Sequence, residues 1–191
     1  MNNTGITLSS VLKEETHEAH QALEAVVVRK IKMIHSKEEY EQLLYKFYGY
    51  HFPMEQWFDK YLDNEIVPMY TNRRRADKIL HDLTNLGHEN PVIPLTTEVP
   101  VINSLAKALG AFYVMEGSTQ GGSIVADMLI RHAGLTPETT TFFNAYGEDK
   151  TMWKAFKDKI DTYTAESGFS EEMVAAANET FTKFREWMLK E

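Results

Sequence analysis

Apolar positions recur along the chain at the three- and four-residue spacing of helices, not at the two-residue spacing of strands. Near the start, Leu12, Thr16, Ala19, Leu23 and Val26 fall on one stripe. That spacing predicts a helix from about Leu8 to Val28, with Ser9 or Ser10 as N-cap. Ser36-Lys37-Glu38-Glu39 has the form of a capping box and opens a second helix, rich in Tyr and Phe, running to about Asn64. Pro53 should kink or split it. A third helix spans about Asn72 to Leu86, between Thr71 as cap and Gly87 as stop. The stretch HENPVIPLTTEVP has three prolines and few helix formers, and reads as a loop or extended connector. Pro100 suits a first helical turn. A strongly apolar helix then passes through Leu105, Leu109, Val125 and Leu129 to about Ala133 and stops at Gly134. Thr136-Pro137-Glu138 starts a short helix, another runs from about Asp149 to Ala165 with Gly168 as stop, and the last runs from Ser170 onward. No alternating pattern with hairpin turns, internal repeat or low-complexity segment is visible. The expected architecture is all-α: one domain over residues 1–191, a bundle of about seven helices.

Within the apolar helix the stretch VMEGSTQGGSIVADML breaks the pattern, because Gly117, Gly121 and Gly122 sit where helix formers belong. Each interior glycine costs about 1 kcal/mol relative to alanine, so the three together cost about 3 kcal/mol. A helix surface stripped of side chains lets a flat ligand lie almost on the backbone, and lets the helix bend. Neighbouring helix positions point about 100° apart, so Gly121 and Gly122 cannot both face such a ligand equally.

Composition narrows the chemistry. The formal net charge of −8 disfavours nucleic acid and gives no attraction to anionic membranes. Arg73-Arg74-Arg75 is the one basic cluster, and it reads as a solvated helix face or a docking point for an acidic partner. There is no cysteine, which excludes disulfides, thiolate metal sites and Cys nucleophiles. No leader-like segment and no run of about 18 apolar residues is present, so the expectation is a cytoplasmic protein.

The stretch LKEETHEAHQALE carries the second signal. His20 borders the buried stripe, beside Thr16 and Leu23, and Lys13 lies two turns earlier on the same face, about 10 Å away along the axis. An imidazole and an ammonium so placed could serve one ligand with a metal centre and an anionic edge. A hydrogen-bonded core histidine has the same spacing. Glu14-x-x-His17 lacks the second Glu-x-x-His that a di-iron bundle needs, and His17-x-x-His20 with Glu24 lacks the rest of a zinc shell. The glycines do not follow a strand, so neither a phosphate loop nor a dinucleotide fingerprint applies, and no Gly-x-Ser-x-Gly elbow occurs.

Taken together, LKEETHEAHQALE, YVMEGSTQGG and FFNAYGEDKTMWKAF, in this order and spacing, resemble the haem oxygenases, and more closely the bacterial branch often found beside bacteriophytochromes. The resemblance covers most of the chain. It implies an all-α fold holding haem between a proximal and a distal helix. It implies His20 as proximal iron ligand, and Gly117, Gly121 and Gly122 as distal-helix glycines. It places Lys13 and Lys154 at the haem propionates, with Lys157 a weaker candidate, and makes Glu24 a plausible partner for the second ring nitrogen of His20. The implied reaction is oxidative opening of haem to biliverdin, CO and ferrous iron. O2 is the oxidant, and electrons come from a separate ferredoxin or flavoprotein reductase. A bacteriophytochrome is a candidate acceptor of the biliverdin.

This chain departs from the better-known branch at two positions. Ser118 stands where an aspartate organises water for proton delivery, and a neutral hydroxyl brings no negative charge. Phe112 stands where a tyrosine often reaches a propionate. Ser118, Thr119 and Gln120 are the candidates for a proton route. The main alternative function is a haem or bilin carrier without turnover. A thiamin-degrading hydrolase on a related bundle would ordinarily use a cysteine, and a bundle serving only interaction leaves the glycines unexplained.

Overall fold

The computed structural model describes residues 7–163 and 167–190, and among these it is helical with no strand. Its elements are α1 (Leu8–Glu15), α2 (His17–Lys32), α3 (Lys37–Tyr61), α4 (Asp77–Asn85), α5 (Leu105–Gly117), α6 (Gly122–Ala133), α7 (Thr151–Ile160) and α8 (Ser167–Leu189). Short 3-10 turns at Tyr70–Asn72, Ser118–Gly121 and Pro137–Thr139 join some of them. The all-α expectation therefore holds.

Helix α8 organises the core: it packs on α5 along much of its length and also on α2, α1 and α3. Gly110 permits the α5 approach, since a methyl there would run into the Met173 carbonyl. Tyr50 of α3 donates to the Thr180 carbonyl at 3.1 Å, and its ring stacks on Phe184 at 4.5 Å. The predicted stripe of the first helices lies inward, with Leu12, Thr16 and Leu23 buried and Ala19 and Val26 partly so.

Local hydrogen bonding accounts for the differences from the sequence reading. Thr7, not Ser9 or Ser10, caps α1, because Ser9 spends its backbone N–H and hydroxyl on Asp161 at 2.7 and 2.8 Å. The first predicted helix divides at Thr16, whose hydroxyl bonds back to the Leu12 carbonyl at 2.6 Å. Pro53 does not split α3. The carbonyl it leaves without an in-helix donor, that of Gly49, accepts the N–H of Thr96 in the proline-rich connector at 3.0 Å. Helix α4 begins later than expected, because residues 73–75 form a non-helical link before it. The glycine-bearing helix is two helices joined by a tight turn, and Gly134, at φ 63°, ends the second as predicted. Pro100 lies in the connector, and Ser104 caps α5. Gly168 lies in the first turn of α8 instead of stopping α7. The Ala165 end of the predicted α7 lies outside the described residues.

Candidate functional site

The tight turn between α5 and α6 treats its glycines differently. At Gly117 an added methyl would only touch Trp153, at 3.4 Å. At Gly121 it would meet nothing within 4 Å. At Gly122 it would overlap the Phe143 carbonyl outright. Gly121 therefore leaves bare backbone facing open space, while Gly122 lets the chain segment at Phe143 pack against α6. Ser118 is exposed, Thr119 is buried with its hydroxyl on the Glu116 carbonyl at 2.7 Å, and the Gln120 amide donates to Thr119 at 3.3 Å.

The arginine triplet is not a solvated face. Arg73 is buried and pairs with Glu116 of α5 at 2.5 Å, and it also donates to the carbonyls of Pro68 and Met152. Arg74 donates from Nη2 to the Met115 carbonyl at 2.8 Å and to Ser118 Oγ at 2.7 Å. Its guanidinium lies 4.4 Å over the Phe142 ring, and its backbone N–H donates to Tyr146 Oη at 2.6 Å. Arg75 pairs with Asp59 at 2.7 Å and reaches Glu55 at 3.4 Å. Two of the three arginines thus converge on the last turn of α5 and the tight turn after it. Helical spacing alone put the triplet on a surface. The overlooked signal was Glu116, a lone carboxylate in the apolar run LGAFYVMEG, which needs a buried partner.

Below this layer a cavity of about 20 Å³ is lined by His51, Glu55, Tyr70, the arginines and Glu116, with room for one water. His51 Nε2 has no hydrogen-bond partner among the described residues, and burial pushes its pKa well down, so the ring is neutral. Burial pushes the Glu55 carboxyl up to about 7, against the opposing pull of Arg75 and the Ala76 N–H. Burial likewise pushes the Tyr146 phenol up to about 12. His51 and Glu55 share a face of α3 at i, i+4, a spacing that could have marked them in the sequence.

His20 is exposed on α2, and its ring lies 5.4 Å from Phe181 of α8. The imidazole makes no hydrogen bond to a described residue, and Glu24 does not engage it. Helices α2 and α5 both pack on α8, which is thus the shared neighbour of the histidine helix and the glycine segment. Lys13 is exposed on α1, and Lys154 is exposed on α7, paired with Asp158 at 2.5 Å. Helices α1 and α7 are in contact, so the structure brings the two lysine-bearing elements together. Lys157 sits over Trp153 at 5.7 Å, and Phe112 is buried among Phe58, Tyr70 and Phe156. Among the described residues, no three His, Asp or Glu side chains converge into a metal site, and no helix is long and apolar enough to cross a membrane.

The family model described as Heme oxygenase matches residues 6–190. The chain belongs to the haem oxygenase family. It is an enzyme that acts on haem. It is 26% identical over 132 residues to a protein named Heme oxygenase from Xanthomonas campestris pv. campestris (strain 8004), covering 66% of this chain and 77% of that one. The fold is that of the solved Neisseria meningitidis haem oxygenase in its NO- and CO-bound forms, at TM-score 0.79, 20% identity, and 96% and 91% coverage of the two chains. The haem oxygenase of Leptospira interrogans is similar, at TM-score 0.75, 19% identity, and 95% and 98% coverage. The residues present fit haem as the substrate. The His20 imidazole on α2 is exposed and without a hydrogen-bond partner among the described residues, and the tight turn offers bare backbone at Gly121, where an added methyl would meet nothing within 4 Å.

Proposed function

We propose that the protein, as a single haem-oxygenase-like domain, opens haem oxidatively to biliverdin, CO and ferrous iron, with O2 as oxidant and a separate ferredoxin or flavoprotein reductase as electron source. The observation that carries this reading is the contrast between Gly121 and Gly122: one is bare toward open space, the other is packed. A helix turn built in that way accommodates a flat ring and a small gas on one side while its other side is fixed. His20 would ligate the iron of the substrate through its imidazole. Haem supplies the iron at which O2 is reduced.

The remaining roles belong to the chain. Lys13 on α1 and Lys154 on α7 hold the propionates, Lys154 by exchanging Asp158 for the substrate carboxylate. Gly121 forms the bare surface over the ring and restricts which edge is open to attack, while Gly117, one turn earlier, faces Trp153. Ser118 accepts a hydrogen bond from a water on that side, because its own proton is committed to the Met115 carbonyl at 2.7 Å. The biliverdin released is suited to a bacteriophytochrome-type bilin acceptor.

The test is hemin added to the purified protein, followed by ascorbate or a reductase in air. The expected result is loss of the Soret band and appearance of biliverdin absorption. In His20→Ala the ligand-dependent spectrum should be lost and restored by added imidazole. A haem spectrum that survives reduction in air would make the protein a carrier. A spectrum unchanged in His20→Ala but lost in His17→Ala would move the ligand to the other histidine.

A further inference from the structure

Asp82, in the second turn of α4, is fully buried and has no role in the site as described above. A buried carboxylate is tolerated only when its oxygens are filled. Here Oδ1 accepts the Thr141 hydroxyl at 2.5 Å and the Thr141 N–H at 2.9 Å, and Oδ2 accepts the Phe142 N–H at 2.9 Å. Three charge-assisted bonds thus fix two consecutive residues of the segment between α6 and α7. The next residue, Phe143, presents its carbonyl to Gly122 at the start of α6. The ring of Phe142 carries the guanidinium of Arg74 at 4.4 Å, and Arg74 holds Ser118 and the Met115 carbonyl. Both surfaces on which the tight turn rests therefore begin at one carboxylate.

We propose that Asp82 is a positioning residue for the Ser118–Gly121 turn: through Thr141 and Phe142 it sets how far Gly121 stands from the substrate ring, and so which edge of the ring is opened. The second half of this statement rests on the reading of Gly121 given above; the first half does not. Asp82 touches no substrate. Loss of an acceptor oxygen at Asp82 should free the Phe143 carbonyl and the Phe142 ring together, and the turn should shift as a unit.

The experiment compares Asp82→Asn and Thr141→Val with the unaltered protein. In the substrate-free protein, amide hydrogen exchange at residues 118–123 should quicken by at least about tenfold in Asp82→Asn, consistent with loss of a charged hydrogen bond. Amides of α2 and α3 should be unchanged. With hemin, the ratio of biliverdin isomers and the carbon monoxide stretching frequency of the reduced, CO-loaded protein should both move. Thr141→Val, which keeps both backbone bonds to Asp82, should show smaller shifts in the same direction. A purely structural Asp82 would lower the melting temperature and leave isomer ratio, CO frequency and local exchange at their original values, which would overturn the proposal. Should Asp82→Asn not fold, Thr141→Val decides alone: unchanged exchange and isomer ratio refute it. Quickened exchange at 118–123 in a protein that never opens haem would uphold the positioning role and sink the function reading instead.

Discussion

Arg74 donates from Nη2 to Ser118 Oγ at 2.7 Å, from a link that precedes α4 to the tight turn that follows α5. The Ser118 proton already goes to the Met115 carbonyl, the second acceptor of Arg74. A guanidinium therefore stands behind the Ser118 hydroxyl. The arrangement predicts energetic coupling. Ser118→Ala removes one acceptor, and Arg74→Met removes the donor for both. The two changes should couple by about 1 kcal/mol or more in a double-mutant cycle of denaturant midpoints. Additive effects would mean that the bond contributes nothing.

Arg73 and Glu116 make a stronger prediction, because their side chains are only 2% and 3% exposed. Replacing Glu116 with Leu strands a buried guanidinium, which costs about 3–5 kcal/mol. Adding Arg73→Met should recover part of that loss and not all, since the carbonyls of Pro68 and Met152 then lack their donor. Chemical denaturation of both variants checks the order. A Glu116→Leu protein as stable as its parent would show that the pair carries no net interaction.

The periodic features of the fold were readable from the chain. The stripe from Leu12 to Val26, the Ser36 cap and the Gly134 stop depend on residues close in sequence, and all appear as expected. What local pattern could not supply was the partner brought from afar. Pro53 reads as a break until Thr96 is seen to satisfy the Gly49 carbonyl. Arg73-Arg74-Arg75 reads as surface until Glu116, Ser118 and Asp59 arrive from other elements. The candidate site divides in the same way. His20 and the glycines can be named as candidates from the chain and its family resemblance, and His51 and Glu55 share a helix face at i, i+4, whereas the role of Asp82 rests on what folds against it.

The buried carboxyl of Glu55 gives the protein a pH dependence of defined sign. Its pKa rises to about 7, chiefly through burial, from an ordinary value of 4.5. The folded state then binds the proton more tightly than the unfolded chain. Stability from this group is full below the ordinary value, falls as pH rises toward about 7, and is level above that, a loss of about 3 kcal/mol at most. His51 acts in the opposite sense. Burial holds its pKa down, so its contribution is lost as pH falls below the ordinary value of 6.5. Glu55→Gln keeps an acceptor for the Ala76 N–H, now at 2.7 Å, and removes the ionisation. It should be more stable than the parent at pH 8 and lack the falling limb in melting temperatures taken from pH 4.5 to 8. A curve parallel to the parent's would show that Glu55 does not titrate in this range.

Gly121 and Gly122 should answer the same substitution in opposite ways. A methyl at Gly122 overlaps the Phe143 carbonyl, which is held in place by the Asp82 bonds to the two preceding residues. Gly122→Ala should therefore overpack the interface and cost about 1–3 kcal/mol, seen as a lower melting temperature before any substrate is added. At Gly121 the methyl meets nothing, and the backbone, at φ −110° and ψ 4°, is open to any residue. Gly121→Ala should leave the melting temperature unchanged or raise stability by up to about 1 kcal/mol, through a less flexible unfolded chain. Its effect should fall on the substrate: the methyl projects into the space assigned to haem and O2, so turnover with hemin should be lost or diverted to another isomer. Melting curves of the two substrate-free variants, followed by hemin turnover in each, separate the roles. A Gly121→Ala protein that melts normally and opens haem at the parent's rate and isomer ratio would remove Gly121 from the substrate face and leave the haem site to His20 and the lysines.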